Sequence, residues 1–364
     1  MTRIFIDHQK FSTQTYGGIS RYFANLMQGI RHAPDMAALL GVLYAKNHYI
    51  RQEPVRLRAL KPLLTGRRDA YAYRLNTWYC EQLLARNNFD LFHPTYYDPY
   101  FLARLRKPLV ITIHDMTYER LPEYFWAHDP LTRQKRLNIE RADRIIAISE
   151  TTKNDLLAYA KADPAKIDVI YHGIDLETPL RVKPVANLPE PYLLFVGDRS
   201  GYKNFYLFMN AFRQLADRYP ELHLVLTGGG PMGVADEELI DRLGLRQRVR
   251  PIQAGDEELA YLYQQAALFV YPSLHEGFGL PILEAFQAGC PMVLSDTPCF
   301  REVAGDAALY FAPASADDLV HVIDTALTDT ALRAQLVTNG TRRLRRFPLT
   351  KSVQETLDVY RALS

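Results

Sequence analysis

Two doubly wound α/β domains, each an open parallel sheet, are what this 364-residue sequence predicts, and three observations carry the prediction. Strand-like apolar runs alternate with helix-length segments along both halves of the chain. One stretch between Gly173 and Leu193, carrying Pro179, Pro184, Pro189 and Pro191, breaks the rhythm and reads as a linker. A chain this long also exceeds one ordinary core and suits two. Open α/β sheets take ligands at the C-terminal ends of their strands, so two of them facing one another place a cleft between those edges.

In the first half the expected strands are Arg3 to Asp7, Ala38 to Tyr44, Leu91 to Pro94, Pro108 to Ile113, Arg144 to Ser149 and Ile167 to Tyr171. Helices are expected over Ile19 to Ile30, Ala70 to Arg86, within Leu131 to Ala142, and over Glu150 to Tyr159. The second half restarts with strand Tyr192 to Val196, helix Asn204 to Tyr219, strand Leu222 to Thr227, helix Asp236 to Leu243 and strand Val249 to Ile252. It continues through helix Asp256 to Ala266, strand Leu268 to Tyr271, a helix after Pro281, strand Pro291 to Ser295, a short helix near Arg301 and strand Ala308 to Phe311. Two closing helices, around Ala316 to Asn339 and Leu349 to Leu363, end the chain.

A net charge of +2, 48% hydrophobic and 23% charged residues describe a soluble globular protein and give no reason to expect a nucleic-acid partner. Three scattered cysteines, Cys80, Cys290 and Cys299, suit neither a disulfide framework nor a cysteine metal cluster, and fit a reducing cytosol. The sequence enters a strand directly at Met1 to Asp7, with no apolar leader or membrane span, so a cytoplasmic protein is expected.

The densest chemistry lies in Ser273-Leu274-His275-Glu276-Gly277-Phe278-Gly279-Leu280-Pro281-Ile282-Leu283-Glu284. It joins a short apolar strand to a helix through glycines that remove bulk, and Pro281 suits a helix's first position. First-turn N–H groups around Leu280 to Leu283 would then face a ligand at the strand end. Glu284, placed in that first turn, can accept two hydrogen bonds from a vicinal diol such as a ribose, and Glu276 faces the same crevice. Capping and solvation are the ordinary uses of such glutamates, but strand, glycine turn, proline and second carboxylate agree on one geometry.

Other candidates are weaker alone. Gly197-Asp198-Arg199-Ser200-Gly201-Tyr202-Lys203 follows a strand and leads into a helix, where Arg199 and Lys203 could neutralise a diphosphate or form a solvated basic loop. Gly228-Gly229-Gly230-Pro231-Met232-Gly233 fits a dinucleotide fingerprint, yet no acidic residue ends the next strand, so a tight turn is the better reading. Gly17 and Gly18 lie between strand and helix, and His114 ends an apolar strand, where a lone histidine serves structure as often as chemistry. There is no Asp-x-Asp and no histidine spacing that suits a metal, nor a Walker loop or a Gly-x-Ser-x-Gly elbow. Arg51 to Arg74 is basic and amphipathic; it could rest on anionic lipid at the inner face of a membrane, or be a solvated loop.

Taken together these residues resemble the retaining glycosyltransferases of family 4, with the GT-B fold, whose hallmark is two glutamates separated by seven residues. The likeness runs nearly end to end: Gly17-Gly18, Ile113-His114-Asp115, Ile148-Ser149, Val169 to Asp175, Leu226 to Pro231, and a closing helix from Phe347 to Leu363. It implies an N-terminal acceptor domain over 1–175, a C-terminal donor domain over 176–346, and a last helix, 347–364, that returns to the first domain. It implies that Glu284 holds the nucleotide ribose, while Glu276 and the backbone of Gly277, Phe278, Gly279 and Leu280 hold the donor sugar. Arg199 and Lys203 would clasp the diphosphate, Gly17 and Gly18 would add backbone donors, His114 would lie beside the reacting sugar, and the base would rest near Ile252 and Gln253. Asp198 stands where the family often has its arginine, which makes Lys203 the firmer of the two cations, and His172 stands where asparagine is frequent and is given no role.

The implied reaction moves a hexose, mannose from GDP-mannose as first choice, to a glycan or lipid-linked glycan, with retention and without a metal or other cofactor. The resemblance is to bacterial surface-polysaccharide mannosyltransferases in particular. A UDP-sugar donor, a nucleotide-sugar epimerase or phosphorylase, and a non-catalytic sugar-nucleotide binder are the alternatives.

Overall fold

The computed structural model describes residues 1–53 and 68–363. It divides into two compact units, Met1–His172 with Thr350–Ser364, and Gly173–Leu349.

Unit 1 runs β1 (Thr2–Ile6), α1 (Gln9–Thr13), α2 (Gly18–His32), β2 (Met36–Leu40), α3 (Arg68–Arg86), β3 (Leu91–His93), β4 (Val110–Ile113), α4 (Thr117–Arg120), α5 (Leu131–Arg141), β5 (Arg144–Ala147), α6 (Glu150–Asp155) and β6 (Ile167–Val169). The strands are parallel in the order β2-β1-β3 and β4-β5-β6, and a parallel bridge from Phe92 to Leu109 joins the two runs. Neighbouring residues of one strand enter opposite cores: Phe5, Phe92, Ile111 and Ile145 face Cys80, Leu83 and Leu84 of α3, while Ile4, Ile6, Leu91, Val110 and Ile146 face Phe23, Leu26 and Ile30 of α2. A strand's period of two thus buries both faces of the sheet, which is why the strands read as continuous apolar runs rather than alternating ones.

Unit 2 follows with β7 (Tyr192–Val196), α7 (Phe205–Arg218), β8 (His223–Thr227), α8 (Val234–Arg242), β9 (Val249–Pro251), α9 (Asp256–Gln265), β10 (Leu268–Tyr271), α10 (Leu280–Ala288), β11 (Met292–Ser295), α11 (Pro298–Ala304), β12 (Leu309–Phe311), α12 (Ala316–Thr328) and α13 (Thr330–Leu344). Its six parallel strands stand in the order β12-β11-β10-β7-β8-β9. The order reverses between β7 and β10, and the loops that leave those two strands flank the ligand-binding crevice of such a sheet. The last helix, α14 (Leu349–Arg361), joins the core of unit 1, where Leu357, Val359 and Tyr360 pack with Ile4, Ile6 and Phe23.

Some boundaries differ from the sequence reading. The strand expected over Ala38 to Tyr44 is β2, Met36–Leu40, because its partner β1 ends at Ile6, whose carbonyl accepts the Gly41 N–H at 2.8 Å. The apolar run continues because Val42, Leu43 and Tyr44 are buried, and the Asn76 side chain takes over the partner's work, accepting the N–H of Leu43 at 2.8 Å and donating to the Tyr44 carbonyl at 2.7 Å. The helix expected over Glu150 to Tyr159 narrows to α6 and is finished by a π turn, Leu156–Ala160. Of the basic segment Arg51 to Arg74, residues 54–67 lie outside the described residues.

Candidate active site

Unit 2 brings together two of the residues singled out in the sequence. Lys203 ends the loop that leaves β7, and Glu276 lies on the loop that leaves β10, so the topological switch point sets them side by side. The Lys203 ammonium donates to Glu276 Oε1 at 2.6 Å, with the two side chains only 12% and 14% exposed. The loops are tied directly, since the Leu274 N–H donates to the Tyr202 carbonyl at 2.8 Å. Tyr271, at the end of β10, completes the cluster: burial first, and then the Glu276 carboxylate, push its phenol well above the usual tyrosine range. Burial pulls the Lys203 ammonium toward losing its proton, but Glu276 more than offsets this and the net shift is upward. The cation is therefore held charged inside a nearly enclosed site.

Gly279 caps α10 with φ of +90°, a left-handed conformation in which a Cβ would also meet Ile282 Cδ1 at 3.1 Å and Phe300 Cε1 at 3.3 Å. Gly277, Phe278 and Gly279 are buried, Leu280 is half-buried, and Pro281 stands in the first turn. The positive end of the helix dipole thus opens beside Glu276. Glu284 needs a correction. It is the fifth residue of α10, in the second turn and not the first, because the helix begins only at Leu280. It is half-buried on the flank of the helix, with the Tyr263 hydroxyl 3.4 Å from its carboxylate.

Arg199 is engaged within unit 2. Its Nε donates to Asp236 at 2.8 Å, and its other nitrogens reach the carbonyls of Gly228 at 3.2 Å, Gly230 at 3.3 Å and Pro231 at 2.7 Å, leaving the side chain 8% exposed. The glycine run therefore works as a turn: Gly228, Gly229 and Gly230 all have positive φ, and a Cβ on Gly229 would strike Asp198 Cα at 2.4 Å. Asp198 accepts the Ser200 N–H at 2.9 Å, closing its own loop. Ile252 is half-buried and Gln253 exposed just beyond edge strand β9, where the Ile252 N–H donates to the Leu226 carbonyl at 2.8 Å.

The remaining candidates belong to unit 1. Gly17 precedes α2 and leaves room for the side chain of Gln14, which accepts the Ser20 N–H at 3.2 Å, so one first-turn donor of that helix is already used. His114 follows β4, donates its backbone N–H to the Tyr97 hydroxyl at 3.0 Å, and stacks its ring on His172 with centroids 5.8 Å apart. Its Nδ1 is buried without a hydrogen-bond partner. Burial, followed by His172 and Lys10, holds the ring well below the usual histidine pKa, so it is neutral.

Sequence reasoning missed Lys10, on α1. Its ammonium sits 3.4 Å above the centre of the Tyr96 ring, among the segments that follow β1, β3 and β4. Burial lowers its pKa to about 8, against an opposing pull from Asp115. A lysine four residues past a strand was the only available signal. Among the described residues no group of three or more His, Cys, Asp or Glu is placed to hold a metal ion, and no helix is long and apolar enough to cross a membrane.

Two parallel α/β units and a lysine–glutamate pair at a sheet's switch point define a class of nucleotide-sugar enzymes with the GT-B architecture. The chain belongs to the family 4, or group 1, glycosyltransferases: the profile for glycosyl transferases group 1 matches residues 177–343, and that for glycosyltransferase family 4 matches residues 16–178. Among its relatives, the O-antigen chain mannosyltransferase B of Escherichia coli is 28% identical over 88% of this chain and 84% of its own. A D-inositol 3-phosphate glycosyltransferase of Salinispora arenicola is 30% identical over 76% of this chain and 69% of its own. The Anabaena protein HepE, solved with UDP and glucose, superposes with a TM-score of 0.76 over 100% of both chains at 19% identity, which speaks for the fold.

Proposed function

We propose that this glycosyltransferase moves a hexose, mannose from GDP-mannose, to a hydroxyl of a glycan or lipid-linked glycan during surface-polysaccharide synthesis, with retention at the anomeric carbon. The observation that carries the reading is the largely enclosed Lys203–Glu276 pair, beside the N-terminus of α10 at the switch point of unit 2. A donor replaces one ion pair by two matched contacts: its diphosphate takes the ammonium, and its sugar hydroxyls take the carboxylate. The E. coli mannosyltransferase relative supports the choice of mannose.

In this reading unit 2 takes the donor and unit 1 the acceptor. Glu284 accepts from the ribose diol, the Gly277 to Leu280 backbone meets the sugar, and Ile252 and Gln253 neighbour the base. The bond from the anomeric carbon to the phosphate oxygen breaks with its electron pair passing to the diphosphate. The acceptor oxygen bonds to the same face, and its proton goes to the departing phosphate. Charge grows on the leaving group only as that bond breaks, so Lys203 and the α10 dipole stabilise the transition state more than the ground state. With that charge met by protein, no metal ion is required. His114, neutral and with a buried nitrogen unpartnered, is assigned to a substrate hydroxyl, and Gly18 to backbone binding of substrate. Arg199 acts on the diphosphate indirectly, by fixing the glycine turn beside the Lys203 loop.

A thermal-shift panel of GDP-mannose, UDP-glucose, UDP-galactose and UDP-N-acetylglucosamine tests the donor, since a ligand at 100 times its Kd stabilises by about 2.7 kcal/mol. GDP-mannose should raise Tm most, and product should form only with an acceptor and persist in EDTA. No shift with any sugar nucleotide would remove the donor site.

A further inference from the structure

The segment after β4 in unit 1 also shapes a surface apart from the strand-end residues. A groove of about 350 Å³ runs between α4, the Pro122 to Asp129 loop and Tyr159. Tyr118 and Phe125 stack along it with ring centroids 3.7 Å apart, giving a rigid aromatic wall. Trp126 is 70% exposed and Tyr159 44%, so two large flat rings stand in water at its rim. Leaving such rings exposed together marks a surface with a partner.

The polar groups decide which partner. Glu119 is held by the buried Lys135 at 2.8 Å, and Asp129 is fixed by accepting the Leu131 N–H at 2.9 Å, so both carboxylates are positioned. Arg136, exposed on α5, has no carboxylate partner among the described residues. Anionic lipid suits this surface poorly: of the charged residues that line the groove, Glu119 and Asp129 stand against Arg136 alone. Sugar rings suit it well. A pyranose presents an apolar face of C–H groups to an aromatic ring and an equatorial rim of hydroxyls to carboxylates and guanidinium, which is the combination found here.

We propose that this groove binds pyranose units of a glycan, with Trp126 as the stacking platform, and so holds the acceptor chain at sugars away from the reacting hydroxyl. The inference rests on the acceptor being a glycan. It requires Trp126→Ala to act on long acceptors and spare short ones.

The test has two independent arms. In the first, a Trp78→Phe variant leaves Trp126 as the sole tryptophan, and its fluorescence is titrated, without donor, with manno-, gluco- and galacto-oligosaccharides of one to six units and with phosphatidylglycerol vesicles. Saturable quenching that strengthens with oligosaccharide length supports the proposal. A blue shift with vesicles and no response to any oligosaccharide overturns it in favour of a membrane contact. In the second arm, Trp126→Ala should raise KM for tetrasaccharide or longer acceptors about five- to tenfold, the range of one lost ring contact, with kcat and the monosaccharide KM unchanged and Trp126→Phe restoring most of the loss. Equal KM values for wild type and Trp126→Ala at every length overturn the groove and leave the proposed reaction standing. Absence of transfer by wild type from any sugar nucleotide sinks that reaction instead, and the fluorescence arm still decides the groove.

Discussion

The Lys203 ammonium and Glu276 Oε1 lie 2.6 Å apart, each side chain at most 14% exposed. A pair this enclosed returns little net stability against two hydrophobic residues, because desolvation consumes most of the Coulomb gain, but losing one member strands the other. Glu276→Gln should therefore cost about 3 kcal/mol in urea unfolding and lower kcat/KM for the donor by at least tenfold. Lys203→Ala should do likewise, and the double variant should fall short of the sum by about 1 kcal/mol or more. Additive losses in the double-mutant cycle would mean that the two do not act as a unit in solution.

Arg199 separates two roles that the sequence cannot. Its guanidinium bridges Asp236 and carbonyls of the Gly228 to Pro231 turn, so Arg199→Ala should destabilise unit 2 by about 3 kcal/mol. Arg199→Lys should recover less than half of that, since an ammonium cannot span a planar fork of acceptors. Donor KM should rise in proportion to the loss of stability. A full loss of donor affinity with unchanged unfolding would show instead that Arg199 meets the diphosphate itself.

These contrasts explain what could be read in advance. The βαβ rhythm was legible because strands buried on both faces, such as Ile4 to Ile6 and Leu193 to Phe195, must be apolar without interruption. The strand expected beyond Leu40 was not, because burial of Val42 to Tyr44 looks the same whether a strand or the Asn76 side chain satisfies the backbone. Lys203 and Glu276 each stood out locally, but their pairing follows from the sheet order, in which strands far apart in sequence are neighbours. Arg199 reads in sequence only as a cation in a loop, which hides the Asp236 carboxylate and the turn carbonyls that it meets. Trp126 and Lys10 carry no motif at all; the exposure of one and the aromatic contact of the other appear only in three dimensions.

His93 and Tyr360 fasten the last helix to unit 1. The Tyr360 hydroxyl and His93 Nδ1 are 2.6 Å apart with both residues fully buried, and burial drives the histidine pKa down to about 3, so the imidazole is neutral. Tyr360→Phe leaves the ring packing and removes the hydroxyl, which should cost about 1 to 3 kcal/mol for the unsatisfied nitrogen. Urea midpoints at pH 7.5 would measure it, and a loss below a few tenths of a kcal/mol would show that this hydrogen bond does not help to hold α14.

Lys10 yields a stability effect with a defined sign. Its pKa falls from an ordinary 10.5 to about 8 on folding, chiefly through burial. Between those values the unfolded chain binds the extra proton, so stability rises as pH increases from 8 toward 10.5, and below 8 the folded state carries a constant penalty of at most about 3 kcal/mol. Lys10→Met removes the penalty together with a cation–π contact worth about 1 kcal/mol. The variant should then melt above wild type at pH 7, with the advantage shrinking steadily toward pH 10. Differential scanning fluorimetry at half-unit steps reads both curves directly. A difference in Tm that stays constant across the range would mean that Lys10 keeps its ordinary protonation in the folded protein and that Tyr96 and Asp115 compensate its burial.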